Sequence, residues 1–523
     1  MSNNKSQGKD SPRSLIRSTS IISLGTLSSR ILGFVRDIVL ARFFGTGFKA
    51  DAFFVAFKIP NLFRDFVGEG ATNAAIVPVF SEYLVKKSEK EYWEFVSVIL
   101  VLALVVLSAI TLTGVMAAPL IVRVIAPGFM HDPAKLELTI QLTKMMFPYL
   151  VFIGMTAYSI AILFTFRSFT VPAFSPCLMN LAIIISALLS ARYLKEPVYG
   201  LAGGVLVGGV LQLLAQIRPL RKCGMRFHRP KTLRHPGARQ VGRLLVPRVF
   251  GAGVYQLTVL IDTFCASLSS VVGAGGISAI YYSNRIIQFP MGLFGFALAS
   301  AVLPALSGFA SQQNIDQVKK TLTFALGNIF FIMIPISLMT MVLAHPIIRI
   351  LFQRGEFSSY STSITSMALL FYASGLFSFG GLKIMITAFH ALQDTKTPVK
   401  AAALCLVINA VLNFILMYPM KVAGIALASA IAASIDFFIL YYVLNKRLSG
   451  ISFGPGNFIF KIFFASALSG LFVFGAWRYL PPLNDIVKLM LVGLSGLALY
   501  GAICYTLQVE QAQKIYLWVV NKK

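Results

Sequence analysis

Long apolar stretches recur along the whole chain, separated by short polar or basic turns. A helix needs about 20 apolar residues to cross the hydrocarbon core of a bilayer. About fourteen stretches reach that length, near residues 19–43, 51–84, 93–119, 139–166, 171–191, 199–219, 246–270, 278–309, 319–350, 362–392, 397–418, 422–446, 458–479 and 486–508. The pattern predicts an all-α polytopic membrane protein of about 14 transmembrane helices. An even count puts both termini on one side of the membrane.

Composition points the same way. Of 523 residues, 57% are hydrophobic and 12% charged, with a mean hydropathy of +0.77; a soluble domain carries about 25% charged residues. The tail before the first span is basic (Lys5, Lys9, Arg13, Arg17), but the span runs on through Arg30 and Arg36 without a small-residue cleavage site. It reads as a retained helix, not a signal peptide. The net charge of +27 would suit nucleic acid in a soluble protein; in a membrane protein it marks cytoplasmic loops. The five cysteines and five histidines are dispersed, with neither disulfide nor zinc spacing.

Basic clusters orient the chain. The N-terminal tail, Lys86/Lys87/Lys90, Arg218 to Arg239, Lys319/Lys320, Lys446/Arg447 and Lys522/Lys523 fall on one face under this count, which makes that face the cytoplasm. The expected division is a cytoplasmic tail 1–18, an N-lobe 19–219 of helices 1–6, a basic cytoplasmic linker 220–245, a C-lobe 246–447 of helices 7–12, and helices 13–14 with a short tail over 448–523. A weak repeat supports two lobes. "FVRDIVLARFFG" resembles "VLIDTFCASLSS", "ADAFFVAFKIP" resembles "SAIYYSNRIIQFP", and "AIVPVF" resembles "AVLPAL". These pair Asp37 with Asp262, Lys58 with Arg285 and Pro78 with Pro304, at offsets of 225, 227 and 226 residues. Six spans per unit makes the repeats parallel.

The charges inside the spans stand out. Arg30 and Arg36 lie in the first span, Arg64, Asp65 and Glu69 in the second, and Arg285 in the eighth. A charge at mid-bilayer costs about 3 to 15 kcal/mol, so it faces a partner or a water-filled cavity. Internal pairing of Arg36 or Arg64 with neighbouring acids is one reading. The other is an anion site, since Arg30, Arg36, Lys58, Arg64 and Arg285 outnumber Asp37, Asp51, Asp65 and Glu69. Arginine forms paired hydrogen bonds to phosphate oxygens. Arg30 and Arg36 are about 120° apart on an ideal helix, so sharing a face would need a bend at Gly33.

A second polar group lies in the other lobe: Asp262, Asn409 and Asn413 at i, i+4 spacing, and Ser429. One carboxylate with amide and hydroxyl oxygens suits a small hard cation such as sodium, or a proton on Asp262. It equally suits interhelical hydrogen bonding. No GxxxxGK loop, HExxH or GxSxG occurs, so ATP is not expected to energise this chain directly.

The segments "SSRILGFVRDIVLARFFGTG", "ADAFFVAFKIPNLFRDFVGEGA", "VIAPGF", "PAFSPCLMN", "GGVLQL", "YYSNRIIQFPMGLFGFALASAVLP" and "QDTKTPVK" resemble the MurJ (MviN) family of lipid II flippases, within the multidrug/oligosaccharidyl-lipid/polysaccharide exporter superfamily. The resemblance runs along nearly the whole chain. It implies two six-helix lobes, a terminal helix pair forming a lipid groove, and transfer of undecaprenyl-pyrophosphate-linked disaccharide-pentapeptide from inner to outer leaflet for peptidoglycan synthesis. It places the substrate-binding arginines on Arg30, Arg36, Arg64 and Arg285, and Asp37, Asp51 and Glu69 on further charged positions; with Lys58 these three are expected to be cavity or gating charges. A sodium site of some members falls on Asp262, Asn409, Asn413 and Ser429, with the Ile425 carbonyl. Asn284 and Gln288 stand where some relatives have acids, and Asn413 where the sodium pattern has a second acid. The implied partners are lipid II, membrane lipids and cell-wall synthesis proteins, with no nucleic acid. The implied location is the bacterial cytoplasmic (inner) membrane, multi-pass, with both termini cytoplasmic.

The expected mechanism is alternating access without covalent chemistry, so the chain reads as a transporter and not an enzyme. Rival readings are a cation-coupled exporter of drugs or of other lipid-linked oligosaccharides, a membrane-embedded transferase using the same lipid, and a non-transporting scaffold.

Overall fold

Every described element is helical, as hydrocarbon demands of a chain that is not a closed barrel: the helix satisfies its own backbone N–H and C=O groups. The computed structural model describes residues 12–67, 71–230, 232–451, 457–481 and 484–520, apart from the side chains at 12–19, 63–67, 71–75, 246–252, 254–255 and 518–520. In chain order, the first half carries α1 (Pro12–Phe44), α2 (Phe48–Val67), α3 (Ala71–Lys86), α4 (Glu89–Ile125), α5 (Pro133–Met146), α6 (Tyr149–Thr165), α7 (Thr170–Tyr193), α8 (Pro197–Lys222) and α9 (Pro236–Ser267). The second carries α10 (Ser269–Val272), α11 (Gly276–Pro290), a π-helical turn (Met291–Gly295), α12 (Phe296–Ser311), α13 (Ile315–Val342), α14 (Ala344–Phe352), α15 (Ser359–Ser374), α16 (Leu376–Ala391), α17 (Lys396–Met420), α18 (Val422–Arg447), α19 (Phe458–Tyr479), α20 (Asp485–Thr506) and α21 (Glu510–Val520).

Among the described residues, ten helical stretches are long and apolar enough to cross a membrane, and eleven if α15 and α16, bent by 46°, form one span. The three remaining expected spans coincide with α1, α2–α3 and α9. Charged residues explain why apolarity alone does not select two of them: Arg30, Arg36 and Asp37 on α1, Asp51 and Lys58 on α2. In the second half the span corresponding to α2–α3, Gly276–Ser311, is one helical stretch that passes through the π-helical turn between α11 and α12.

The chain packs into two compact units, whose borders differ from the expected lobes. The first runs to Phe43 and continues through Ala52–Ile125 and Met130–Gly253; the second takes Phe44–Asp51, Ala126–Phe129 and everything from Val254. The division falls inside α9, not at the linker. The basic linker belongs to the first unit. The His235 ring stacks on Phe95 at 4.8 Å and lies 5.7 Å from Tyr83, and the His228 N–H donates to Ser97 Oγ at 3.0 Å.

Within the first unit, small residues let helices approach. Gly204 and Gly208 of α8 press on Ser186 and Met179 of α7, the small-xxx-small spacing that suits association by van der Waals contact. Within the second, α19 and α20 pack on α13, and the Tyr500 hydroxyl donates to the Phe331 carbonyl at 2.8 Å. The α17–α18 hairpin turns at Lys421, in the left-handed region at φ 53°. A Cβ on Gly424 would collide with the Leu416 carbonyl, so glycine permits the tight turn that sets α17 beside α18.

Candidate functional site

The charges of α1 divide by face. The helix runs unbroken through Gly33, so six residues separate Arg30 from Arg36 by about 120°. Arg30 is exposed, whereas Arg36 is 6% exposed. Arg36 Nε and Nη2 both donate to Asp37 Oδ1, at 3.0 and 2.8 Å, and Nη1 donates to Asn180 Oδ1 at 3.1 Å. Asn180 on α7 donates in turn to the Ser29 carbonyl at 3.1 Å. Gly25 lies against Ala173, where a Cβ would collide with the carbonyl oxygen. Arg36 therefore ties α1 to α7 inside the first unit. Internal pairing, one of the two sequence readings, is what Arg36 does here.

Asp51 is anchored in the second unit. Its Oδ1 accepts from the Ser278 N–H at 3.0 Å and the Ser278 hydroxyl at 2.6 Å. Ser278 is the third residue of α11, so its N–H is one that the helix leaves unbonded, and a negative charge there opposes the helix dipole. The Thr46 and Ser361 hydroxyls bond nearby at 2.7 Å. Lys58 is half-buried on α2. The Arg64 side chain and Glu69 lie outside the described residues.

Arg285, half-buried on α11, donates through Nη1 to Gln288 Oε1 at 3.2 Å, and its guanidinium carbon lies 5.9 Å from the Tyr281 ring centroid. Gln288 donates to Asn284 Oδ1 at 3.1 Å. The three side chains make one polar strip on α11. α11 carries no acid, so no carboxylate on that helix cancels the arginine's positive charge.

The second polar group closes into a ring. Asn413 Nδ2 donates to Asp262 Oδ1 at 2.8 Å and to Asn409 Oδ1 at 3.1 Å; Asn409 Nδ2 donates to Ser429 Oγ at 3.4 Å; Ser429 Oγ donates to Asp262 Oδ2 at 3.0 Å. The i, i+4 register on α17 and the tight hairpin bring Asn409, Asn413 and Ser429 together, and α9 supplies Asp262. Asn413 Oδ1 is buried with no partner. That orphaned oxygen and the all-oxygen acceptor set fit a small hard cation. Ile425, fully buried on α18, lies one turn before Ser429.

Four residues escaped the sequence reading. Asn180 and Ser278 are ordinary polar residues whose importance lies only in the charges they meet. Lys383, mid-way along α16, sets its ammonium 4.7 Å from the Phe296 ring, beside the π-helical turn. Asp436 is buried on α18. Both charges lie within expected apolar spans, so the same search for intramembrane charges finds them.

The chain matches the family described as lipid II flippase MurJ over residues 40–487. It is 38% identical over 441 residues to a probable lipid II flippase MurJ of Vibrio cholerae, covering 83% of each chain. To a lipid II flippase MurJ of Burkholderia cenocepacia it is 36% identical over 440 residues, 83% of this chain and 84% of that one. A solved lipid II flippase MurJ in an inward closed conformation superposes with a TM-score of 0.79 at 28% identity, covering 94% of this chain and 99% of that chain. An inward-facing multidrug resistance MATE transporter of the MOP superfamily shares the fold, with a TM-score of 0.66 at 14% identity over 83% of this chain and 98% of that one. The extent of the family match and the identity to its members agree: the chain belongs to the lipid II flippase MurJ family.

Proposed function

We infer that this protein is a lipid II flippase, a transporter that carries the undecaprenyl-pyrophosphate-linked peptidoglycan precursor from the inner to the outer leaflet of the bacterial cytoplasmic membrane. The observation that carries this reading is the family match across residues 40–487. The intramembrane arginines supply the chemistry, because a pyrophosphate taken out of water needs cationic hydrogen-bond donors.

On this reading Arg30, Arg64 and Arg285 contact the pyrophosphate directly. Arg36 holds α1 in place and reaches phosphate only by giving up Asp37. Lys58, Asp51 and Glu69 act as cavity or gating charges. The sugar-peptide head crosses by alternating access while the prenyl tail stays in lipid along the terminal helices. Both termini lie in the cytoplasm, where the basic loops gather. Cell-wall enzymes that consume the precursor are the implied protein partners.

Reset draws on a sodium ion or a proton at the Asp262 ring. Asp262, Asn409, Asn413 and Ser429, with the Ile425 carbonyl, would hold the ion, which supplies a positive charge against the Asp262 carboxylate. A charge moved across the membrane gains about 2.3 kcal/mol per 100 mV.

The test is the outer-leaflet fraction of lipid II in cells depleted of this protein. The fraction is expected to fall, and to recover with the wild-type gene but not with Arg285→Ala. An unchanged fraction on depletion sinks the reading.

A further inference from the structure

α18 carries a single acid, Asp436, near its middle. It is 7% exposed, its Oδ1 is buried with no hydrogen-bond partner, and it makes no ion pair among the described residues. An ionised carboxylate removed from water without a partner is costly, which makes such a group a candidate to bind a proton. Asp436 lies seven residues, two turns, beyond Ser429, so both occupy one face of α18 about 10 Å apart. On α17 Cys405 precedes Asn409 by four residues, again on one face. The polar column between α17 and α18 thus continues past the Asp262 ring to Asp436.

The helices packed on α18 include α9, which carries Asp262 and Cys265 and meets Ser429, together with α11, α15, α16 and α17. Arg285 on α11 is bonded to Gln288, and α15 offers only tyrosines as titratable groups. On α16, Lys383 turns its ammonium to the Phe296 ring and His390 stands in the last turn. The lysines of α17 sit in its first turns, away from Cys405. Cys405 is buried on α17, one turn before Asn409.

We propose that Asp436 is a proton-binding site of the second unit, taking up a proton while it is packed out of water and releasing it when water reaches it. The two states differ by one charge on the helix that carries Ser429, so proton uptake biases the packing of that helix. The site lies about 10 Å along α18 from Ser429 of the Asp262 ring.

Infrared difference spectroscopy tests this on the purified full chain in nanodiscs, titrated from roughly pH 5 to 9 in water and deuterium oxide. A deuterium-sensitive carboxylic-acid C=O band is expected at the acid end of the titration, lost in Asp436→Asn and kept in Asp262→Asn. Asp436→Glu, which keeps the acid, should shift the band without removing it, and it decides the matter if the asparagine variant fails to fold. Spectra of a folded Asp436→Asn that superimpose on wild type, or a band unmoved in Asp436→Glu, overturn the proposal. The readout needs no lipid II, so it stands whether or not the protein flips that lipid.

Discussion

Arg36 and Asp37 are sequence neighbours, yet the arginine folds back so that Nε and Nη2 grip one carboxylate oxygen at 3.0 and 2.8 Å. Adjacent residues on a helix point about 100° apart, so only a long, forked side chain closes this pair. Asn180 takes the remaining nitrogen and carries the bond across to α7.

Removing one partner of a buried pair leaves an uncompensated charge, at about 3–5 kcal/mol. Asp37→Ala should therefore lower the melting temperature of the purified protein strongly. Asn180→Ala should lower it less. Arg36→Lys should behave nearly as badly as Arg36→Ala, because an ammonium cannot present two N–H groups in a fixed fork. Thermal-shift measurements check all four, and a lysine that restores wild-type melting contradicts the pairing.

Asp51 makes a charge-assisted cap on α11. Asp51→Asn should destabilise that helix start by about 1–2 kcal/mol, the range for lost N-caps. Hydrogen exchange across residues 276–282 reads it directly: faster exchange there, with α17 and α18 unchanged, is the expected pattern. Uniform exchange in variant and wild type would deny the cap.

The membrane class and most helix positions were legible in the sequence because bilayer thickness and charge cost are strong, local constraints. The Asp262 ring was legible as residues but not as a ring: i, i+4 spacing joins Asn409 to Asn413, while the link to Ser429 depends on the turn at Lys421 and Gly424. What failed was partner choice. Nothing in the spacing of Arg36 shows that Asn180, 144 residues away, will hold it. Nor does the alternation of lobes reveal that residues 44–51 pack with the second unit.

Asp394, between α16 and α17, gives a pH signature. It accepts from the Thr397 N–H at 3.0 Å and the Thr397 hydroxyl at 2.8 Å, and from Arg447 at 3.1 Å. The Thr397 bonds first, and Arg447 with them, hold its carboxyl below the ordinary carboxylate range. The folded value lies below the unfolded one, so its stabilisation is full above about pH 4 and fades as pH falls through the folded value. Asp394→Asn should melt below wild type at neutral pH, with the gap closing in acid. A gap that is constant with pH contradicts the assignment.

Asn413 offers a gain-of-function test of the ring. Asn413→Asp adds a second carboxylate to the oxygen set, and ligand charge raises cation affinity. Sodium should then raise the melting temperature of the variant more than that of wild type, while Asp262→Asn should abolish any sodium effect. Identical sodium responses in all three proteins would remove the ring as a cation site.

The most direct measurement is lipid II transfer in proteoliposomes holding only this protein, with wild type compared against Arg30→Ala and Arg285→Ala. A lost hydrogen bond to a charged group is worth about 1.5–3 kcal/mol, so each variant should flip at least about tenfold more slowly while keeping the wild-type melting temperature. Transfer at the wild-type rate by both variants, or none by the wild-type protein, would contradict the assignment of these arginines to the pyrophosphate of lipid II.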